Sequence, residues 1–220
     1  MLNVAARRPT QNSYLQMTAL SECSIAKNPF DHLIVKRFLD PCTEADVLSD
    51  FPRISSGGSY PINRLSYGPS FGAIVSELTS GPFTEVLGGL FETNLATHPT
   101  LVTVRGRSRA KDGKIHTDNP NKLITLLLYF GRADDAAEGQ LRLLRSPTNL
   151  DDYAIEVAPN YGTLLVFKNG PQAWHGFRSY TGARRVLQIN WVSNARYVDK
   201  EEARHGFSAL IKTILSSGRN

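Results

Sequence analysis

Only two cysteines, Cys23 and Cys42, occur in the chain. They are too few for a disulfide framework and too far from the HTD stretch at residues 116–118 to complete a zinc pattern with it. No apolar run approaches the roughly 20 residues that a membrane span needs, so a membrane protein is not expected. The opening stretch MLNVAARRPTQNSYLQM carries positive charge but lacks the continuous apolar segment and small-residue cleavage site of a secretory signal, and the cytoplasm is the expected compartment. Internal repeats and low-complexity tracts are absent as well. Charge of one sign is not in large excess: the net charge of +5 is modest and scattered, which permits an anionic partner without requiring one.

What is present describes a soluble globular protein. At 220 residues, with 41% hydrophobic and 20% charged residues, the chain can build one domain with a sizeable core. Residues 1–28 show no sustained periodicity and are expected to form a loosely held N-terminal arm, with a single domain over 29–220. HLIVKRFL (32–39) reads as a strand. TEADVLSDF then has helical character, with Val47, Leu48 and Phe51 as an apolar stripe and Thr43 as N-cap. Residues 52–68, rich in Gly, Ser and Pro, read as a loop. Two helices are predicted next, from residue 72 and from residue 82, the second opening on Pro82, whose missing N–H is tolerated there.

From Leu101 the pattern changes to seven short β-rich segments separated by turn sequences: LVTVRGR, LITLLLYF, QLRLLRS, YAIEVA, GTLLVF, AWHGFRSY and RRVLQINWV. A closing segment, DKEEARHGFSALIKTIL, has Asp199 and Glu202 as a capping pair and Ala203, Phe207, Leu210, Ile211 and Ile214 as an apolar stripe. The expected fold is mainly β with helices: a two-sheet jelly roll, or double-stranded β-helix, over about 101–194, with supporting N-terminal helices and a C-terminal helix.

Several residues carry chemistry. His116 and Asp118, two apart at a strand end, project to one side and can converge on an ion. His175, beside Trp174 in a late strand, is a candidate third ligand, and two histidines with one carboxylate make the facial triad of non-heme iron sites. In RRVLQINWV the set Arg185, Leu187, Ile189 and Trp191 is the more apolar and is expected to face the core. Arg185 would then be buried and would need an anion. A bound dicarboxylate meets that need through bidentate pairing, and Tyr129 can add a hydroxyl. Arg105, Arg107 and Arg109, spaced by two, would line one strand face, either as a solvated surface or as a groove for an anionic substrate. Asn119-Pro-Asn121 reads as a turn at the edge of a substrate site.

The order of these residues resembles the Fe(II)- and 2-oxoglutarate-dependent dioxygenases, in particular their prolyl-hydroxylase-like branch. The matching residues are His116-Thr-Asp118, Tyr129, Gly139-Gln-Leu141, Pro159, Gly162, Phe167, His175, Arg185 and Trp191. HTDNPN is similar to the corresponding stretch of oxygen-sensing prolyl hydroxylases, and HLIVKRFLDPCTEADVLSDFP to the first strand and helix of bacterial members. The resemblance implies Fe(II) bound by His116, Asp118 and His175, and 2-oxoglutarate held by Arg185 and Tyr129. A Gly-x-Arg form of the family motif would choose Arg184 after Gly182 instead; spacing to Trp191 and the expected inward phase favour Arg185. It also implies O2 as co-substrate, with succinate and CO2 as co-products. Retention of Asp118 favours hydroxylation over halogenation, where a small residue replaces the carboxylate.

The resemblance does not extend to the substrate. A small molecule or peptide, with or without an anionic group near Arg105, Arg107 or Asn119, is the expected partner. Nucleic acid is the less expected one, although a nucleic-acid demethylase of the same superfamily is an alternative motivated by the basic charge. A non-catalytic jelly-roll binding module is the alternative from another class.

Overall fold

The structure is a computed structural model and describes residues 13–132, 135 and 138–204. A six-stranded antiparallel sheet forms its backbone, built from β1 (His32–Val35), β2 (Tyr60–Pro61), β3 (Thr100–Ser108), β4 (Lys122–Tyr129), β7 (Leu164–Lys168) and β9 (Gly182–Val192), in the order β1-β7-β4-β9-β3-β2. A second sheet of β5 (Leu141–Leu144), β6 (Tyr153–Val157) and β8 (His175–Gly176) has the order β6-β5-β8. All seven β-rich segments expected after Leu101 contain a strand, and the whole is the mainly β jelly roll with helices.

The larger sheet is buried on both faces, and this arrangement decides where the site lies. Because side chains alternate along a strand, each central strand sends one set to each face. Ile124, Leu126 and Leu128 of β4, Leu164 and Val166 of β7, and Leu187, Ile189 and Trp191 of β9 pack on the helical side. They meet Phe71, Ile74 and Leu78 of α3 (Pro69–Leu78), and Phe83 and Leu87 of α4 (Gly81–Leu90). The opposite set, including Leu127, Tyr129, Leu165, Phe167 and Val186, faces the smaller sheet and its Leu141, Leu143 and Val157. The chain therefore has two apolar interiors separated by one sheet.

Helix starts follow local chemistry. Ser80 accepts a hydrogen bond on Oγ from the Phe83 N–H at 3.4 Å, and Pro82 stands in the first turn of α4. At Glu44–Asp50, here α2, the expected Thr43 cap is corrected. Thr43 makes no side-chain cap, and Asp40 Oδ1 accepts from the Cys42 N–H at 2.9 Å to start a short 3-10 turn ahead of the helix. The Gly/Ser/Pro segment at 52–68 includes β2, which pairs Tyr60 with Val104.

The expectation of a loosely held arm is corrected within residues 13–28: Leu15 and Leu20 are 5% and 0% exposed and join the helical core. At the other end, residues 195–204 are helical, beginning before the expected Asp199 cap. Asn194 caps them, its Oδ1 accepting from the Tyr197 N–H at 2.9 Å. Ala203 is exposed, and Phe207, Leu210, Ile211 and Ile214 lie outside the described residues. Among the described residues, no helix is long and apolar enough to cross a membrane.

Candidate metal centre

His116 sits beside β8 as a one-residue extension of the smaller sheet. Its N–H donates to the His175 carbonyl at 3.0 Å and its carbonyl accepts from the His175 N–H at 2.9 Å. This places the two imidazoles with ring centroids 4.4 Å apart. In each ring Nδ1 lies against a backbone carbonyl, of Lys114 at 2.8 Å and of Ala173 at 2.9 Å. A carbonyl only accepts, so each Nδ1 carries a proton, and in the neutral imidazole Nε2 is then the atom with the lone pair that a metal ligand needs. His175 is buried, and burial lowers its pKa to about 4, with Asp118 opposing and His116 adding to the fall. It is therefore neutral near pH 7.

Asp118 completes the group: ligand atoms of His116, Asp118 and His175 all lie within 4.8 Å of one another. The Asn119-Pro-Asn121 turn follows, with Asn119 Oδ1 accepting from the Asn121 N–H at 2.9 Å and the Asn119 carbonyl from the Lys122 N–H at 2.9 Å. The structure gives Asn119 this turn-forming role. Asp118 Oδ2 accepts from the Thr125 hydroxyl at 2.7 Å, and Oδ1 accepts from Lys122 Nζ at 3.1 Å. Thr125 Oγ1 itself accepts from the amides of Asn190 at 2.8 Å and Asn169 at 2.9 Å. With both approaches occupied by N–H donors, the Thr125 hydrogen has to point at Asp118. Burial raises the Asp118 pKa, but Lys122, His175 and the Thr125 bond outweigh it and the net shift is downward. Sequence reasoning missed this supporting network. Its available signal was a lone Thr within LITLLLYF and a lone Asn within QINWV.

The expected phase of β9 is corrected. Arg184, 5% exposed, points between the sheets with Val186, while Arg185 stays at the rim and pairs with Asp135 at 2.7 Å. The apolar set Leu187, Ile189 and Trp191 does face a core, but the core beneath the helices rather than the one holding the histidines. Opposite β3 the pairing slips by one: Arg105 faces Val186 and Arg107 faces Ala183, so Arg184 and Arg185 together stand opposite Gly106. Arg184 lies 4.1 Å from the centroid of the Phe177 ring and 5.5 Å from that of Tyr129. It donates to the carbonyl of Gly139, a residue at φ +79° whose added Cβ would meet the Tyr180 ring at 2.3 Å. Only glycine fits there.

Among the described residues no carboxylate pairs with Arg184. Tyr129 next to it is 0% exposed, and no partner meets its hydroxyl in hydrogen-bond geometry. Burial raises the Tyr129 pKa, and the nearby guanidinium opposes the rise. A buried guanidinium without an acid, beside a buried hydroxyl whose polar neighbour is that same guanidinium, is a cradle for a carboxylate.

The row of three arginines does not form. Arg105 donates to Asp112 Oδ2 at 2.8 Å, Arg109 to Asp112 Oδ1 at 2.9 Å, and Arg107 is exposed. Arg109 follows the end of β3, so the alternation that would align it with the others has stopped. Arg105 also reaches Ser59 Oγ at 3.3 Å, which ties the 52–68 segment to the sheet.

Two imidazoles and one carboxylate, buried on one side and facing open space on the other, suit a non-heme iron that keeps positions for further ligands. A cleft of about 330 Å³ lined by Asp118, Pro120, Lys122, Asn169 and Pro171 opens beside them. Residues 106–193 match the sequence model of the 2OG-Fe(II) oxygenase superfamily. The fold is similar to a prolyl-4-hydroxylase of Pseudomonas putida, at 14% identity and TM-score 0.52 over 74% of this chain and 92% of that one. It is also similar to a prolyl 4-hydroxylase of Phytophthora capsici, at 17% identity and TM-score 0.50 over 89% and 70%. These likenesses are of fold. No curated protein matches the chain by sequence. The matched stretch contains His116, Asp118 and His175 at the spacing that the fold brings together, and on these grounds residues 106–193 are a 2OG-Fe(II) oxygenase domain, of a superfamily whose cofactor set is Fe(II), 2-oxoglutarate and O2.

Proposed function

We propose that this oxygenase hydroxylates a small-molecule or peptide substrate, forming succinate and CO2 from 2-oxoglutarate. His116 and His175 would hold the iron through Nε2 and Asp118 through a carboxylate oxygen. Arg184 and Tyr129 would hold the far carboxylate of 2-oxoglutarate. The observation that carries this reading is the acid-free Arg184 guanidinium beside the buried Tyr129 hydroxyl, in the interior whose Phe167 packs against His175. When bound, metal and 2-oxoglutarate supply the oxygen chemistry, and the protein supplies placement and a dry interior.

The chain's own residues divide the work. Phe167, 4.9 Å from the His175 ring by centroids, shields that imidazole from water on the interior side. Thr125, with its hydrogen fixed by Asn169 and Asn190, keeps the Asp118 carboxylate turned toward the histidines. The cleft beside Asp118 is the route by which a substrate would approach, and a retained carboxylate favours hydroxylation. Purified protein given Fe(II), 2-oxoglutarate and air is expected to release succinate slowly without any substrate. One class among free amino acids, peptides and sugars should accelerate it. Release no faster than in protein-free controls, with every class, would support the non-catalytic binding module instead.

A further inference from the structure

Lys122 holds a place that a regular strand could not give it. It and Thr125, three positions apart on β4, both reach Asp118, whereas side chains at odd spacing on a strand point to opposite faces. The pairing of β4 with β9 slips between Lys122 and Ile124, and the extra residue, Leu123, turns Lys122 to the Asp118 side. The resulting ion pair is sheltered, with side chains 15% and 9% exposed. Because the Thr125 hydrogen is committed to Oδ2 and the ammonium to Oδ1, an arriving metal meets a carboxylate that already carries a cation.

We propose that Lys122 is the resident counter-cation of the metal centre. It is a positioning residue that holds Asp118 in ligating orientation before loading, and it sets the metal affinity below what the three ligands alone would give. The sign follows from electrostatics. A unit positive charge next to a divalent ion is repelled by it, and an uncompensated sheltered carboxylate binds a cation more tightly than a compensated one. The cleft lined by Pro120, Asn169 and Pro171 gives the displaced ammonium somewhere to go, so loading requires no rearrangement of β4. The inference rests on the reading that His116, Asp118 and His175 hold the metal.

The test is Mn(II) affinity, read from the electron paramagnetic resonance of free Mn(II) in titrations of the whole chain. Lys122→Met keeps the length of the side chain without its charge and is expected to bind Mn(II) about tenfold more tightly than the parent. Lys122→Arg should stay close to the parent, and Thr125→Val, which removes only the other support of Asp118, should bind about tenfold more weakly. A lysine that merely stabilised the fold would give the opposite sign, so equal or weaker binding by Lys122→Met overturns the proposal. If the parent binds no Mn(II), or His175→Ala binds it equally well, the metal-site reading itself fails and the proposal with it.

Discussion

His175→Ala and Asp118→Ala each abolish succinate release. His175 is buried, neutral, and fixed in its tautomer by the Ala173 carbonyl, so no neighbouring group can substitute for its Nε2. Asp118 is the sole carboxylate of the cluster among the described residues. Losing a partner behind a ligand typically costs roughly 10–100-fold in metal affinity, and losing the ligand itself should cost more. The variants should therefore lose Mn(II) binding and turnover together while retaining the cooperative unfolding of the parent. Full succinate release by either variant would remove that residue from the iron site.

Arg184→Ala raises the KM for 2-oxoglutarate by about 100-fold, whereas Arg185→Ala leaves it nearly unchanged. The magnitude follows from losing charged hydrogen bonds to a carboxylate at about 1.5–3 kcal/mol each. The contrast follows from the geometry: Arg184 lies between the sheets against Tyr129 and Phe177, and Arg185 is held at the rim by Asp135. Arg184→Lys keeps the charge but not the fork and should recover only part of the loss. Steady-state kinetics of the three variants decide the matter. Equal effects of the two alanine substitutions would mean that the cradle is not where Arg184 and Tyr129 place it.

The Arg184 result also shows where the sequence was legible and where it was not. Alternation within RRVLQINWV separated two sets of side chains correctly, and the strand itself was plain. What alternation could not say is which set faces the histidines, because a sheet buried on both sides has two insides. Here the more apolar set, Leu187, Ile189 and Trp191, lies under the helices, and the more polar set, with Arg184 and Asn190, faces the site. The rule that the apolar face is the functional interior fails in such a fold, since a site that binds ions must carry polar groups.

Register slips were the second obstacle. The one at Leu123 aims Lys122 at Asp118, and the one at Arg184 and Arg185 sets two β9 residues opposite one of β3. The first carries no glycine that would signal it, and the second is marked only by Gly106 on the facing strand. By contrast, features set by neighbouring residues were readable: Pro82 in the first turn of α4 and the turn at Asn119-Pro-Asn121. The convergence of His116, Asp118 and His175 was legible because HxD fixes two ligands on one side, and a paired histidine strand brings in the third. The interior packing of Leu15 and Leu20 was not, since a segment of residues 13–28 with one short helix, α1 (Met17–Ser21), has too little periodicity to show a face.

The most direct test of the central claim is anaerobic absorption spectroscopy of the protein titrated first with Fe(II) and then with 2-oxoglutarate. The predicted result is a weak visible charge-transfer band that needs both additions. It should vanish in His175→Ala and require far more 2-oxoglutarate in Arg184→Ala than in Arg185→Ala. A folded parent protein that shows no such band at saturating Fe(II) and 2-oxoglutarate, or shows it undiminished in His175→Ala, would contradict the account.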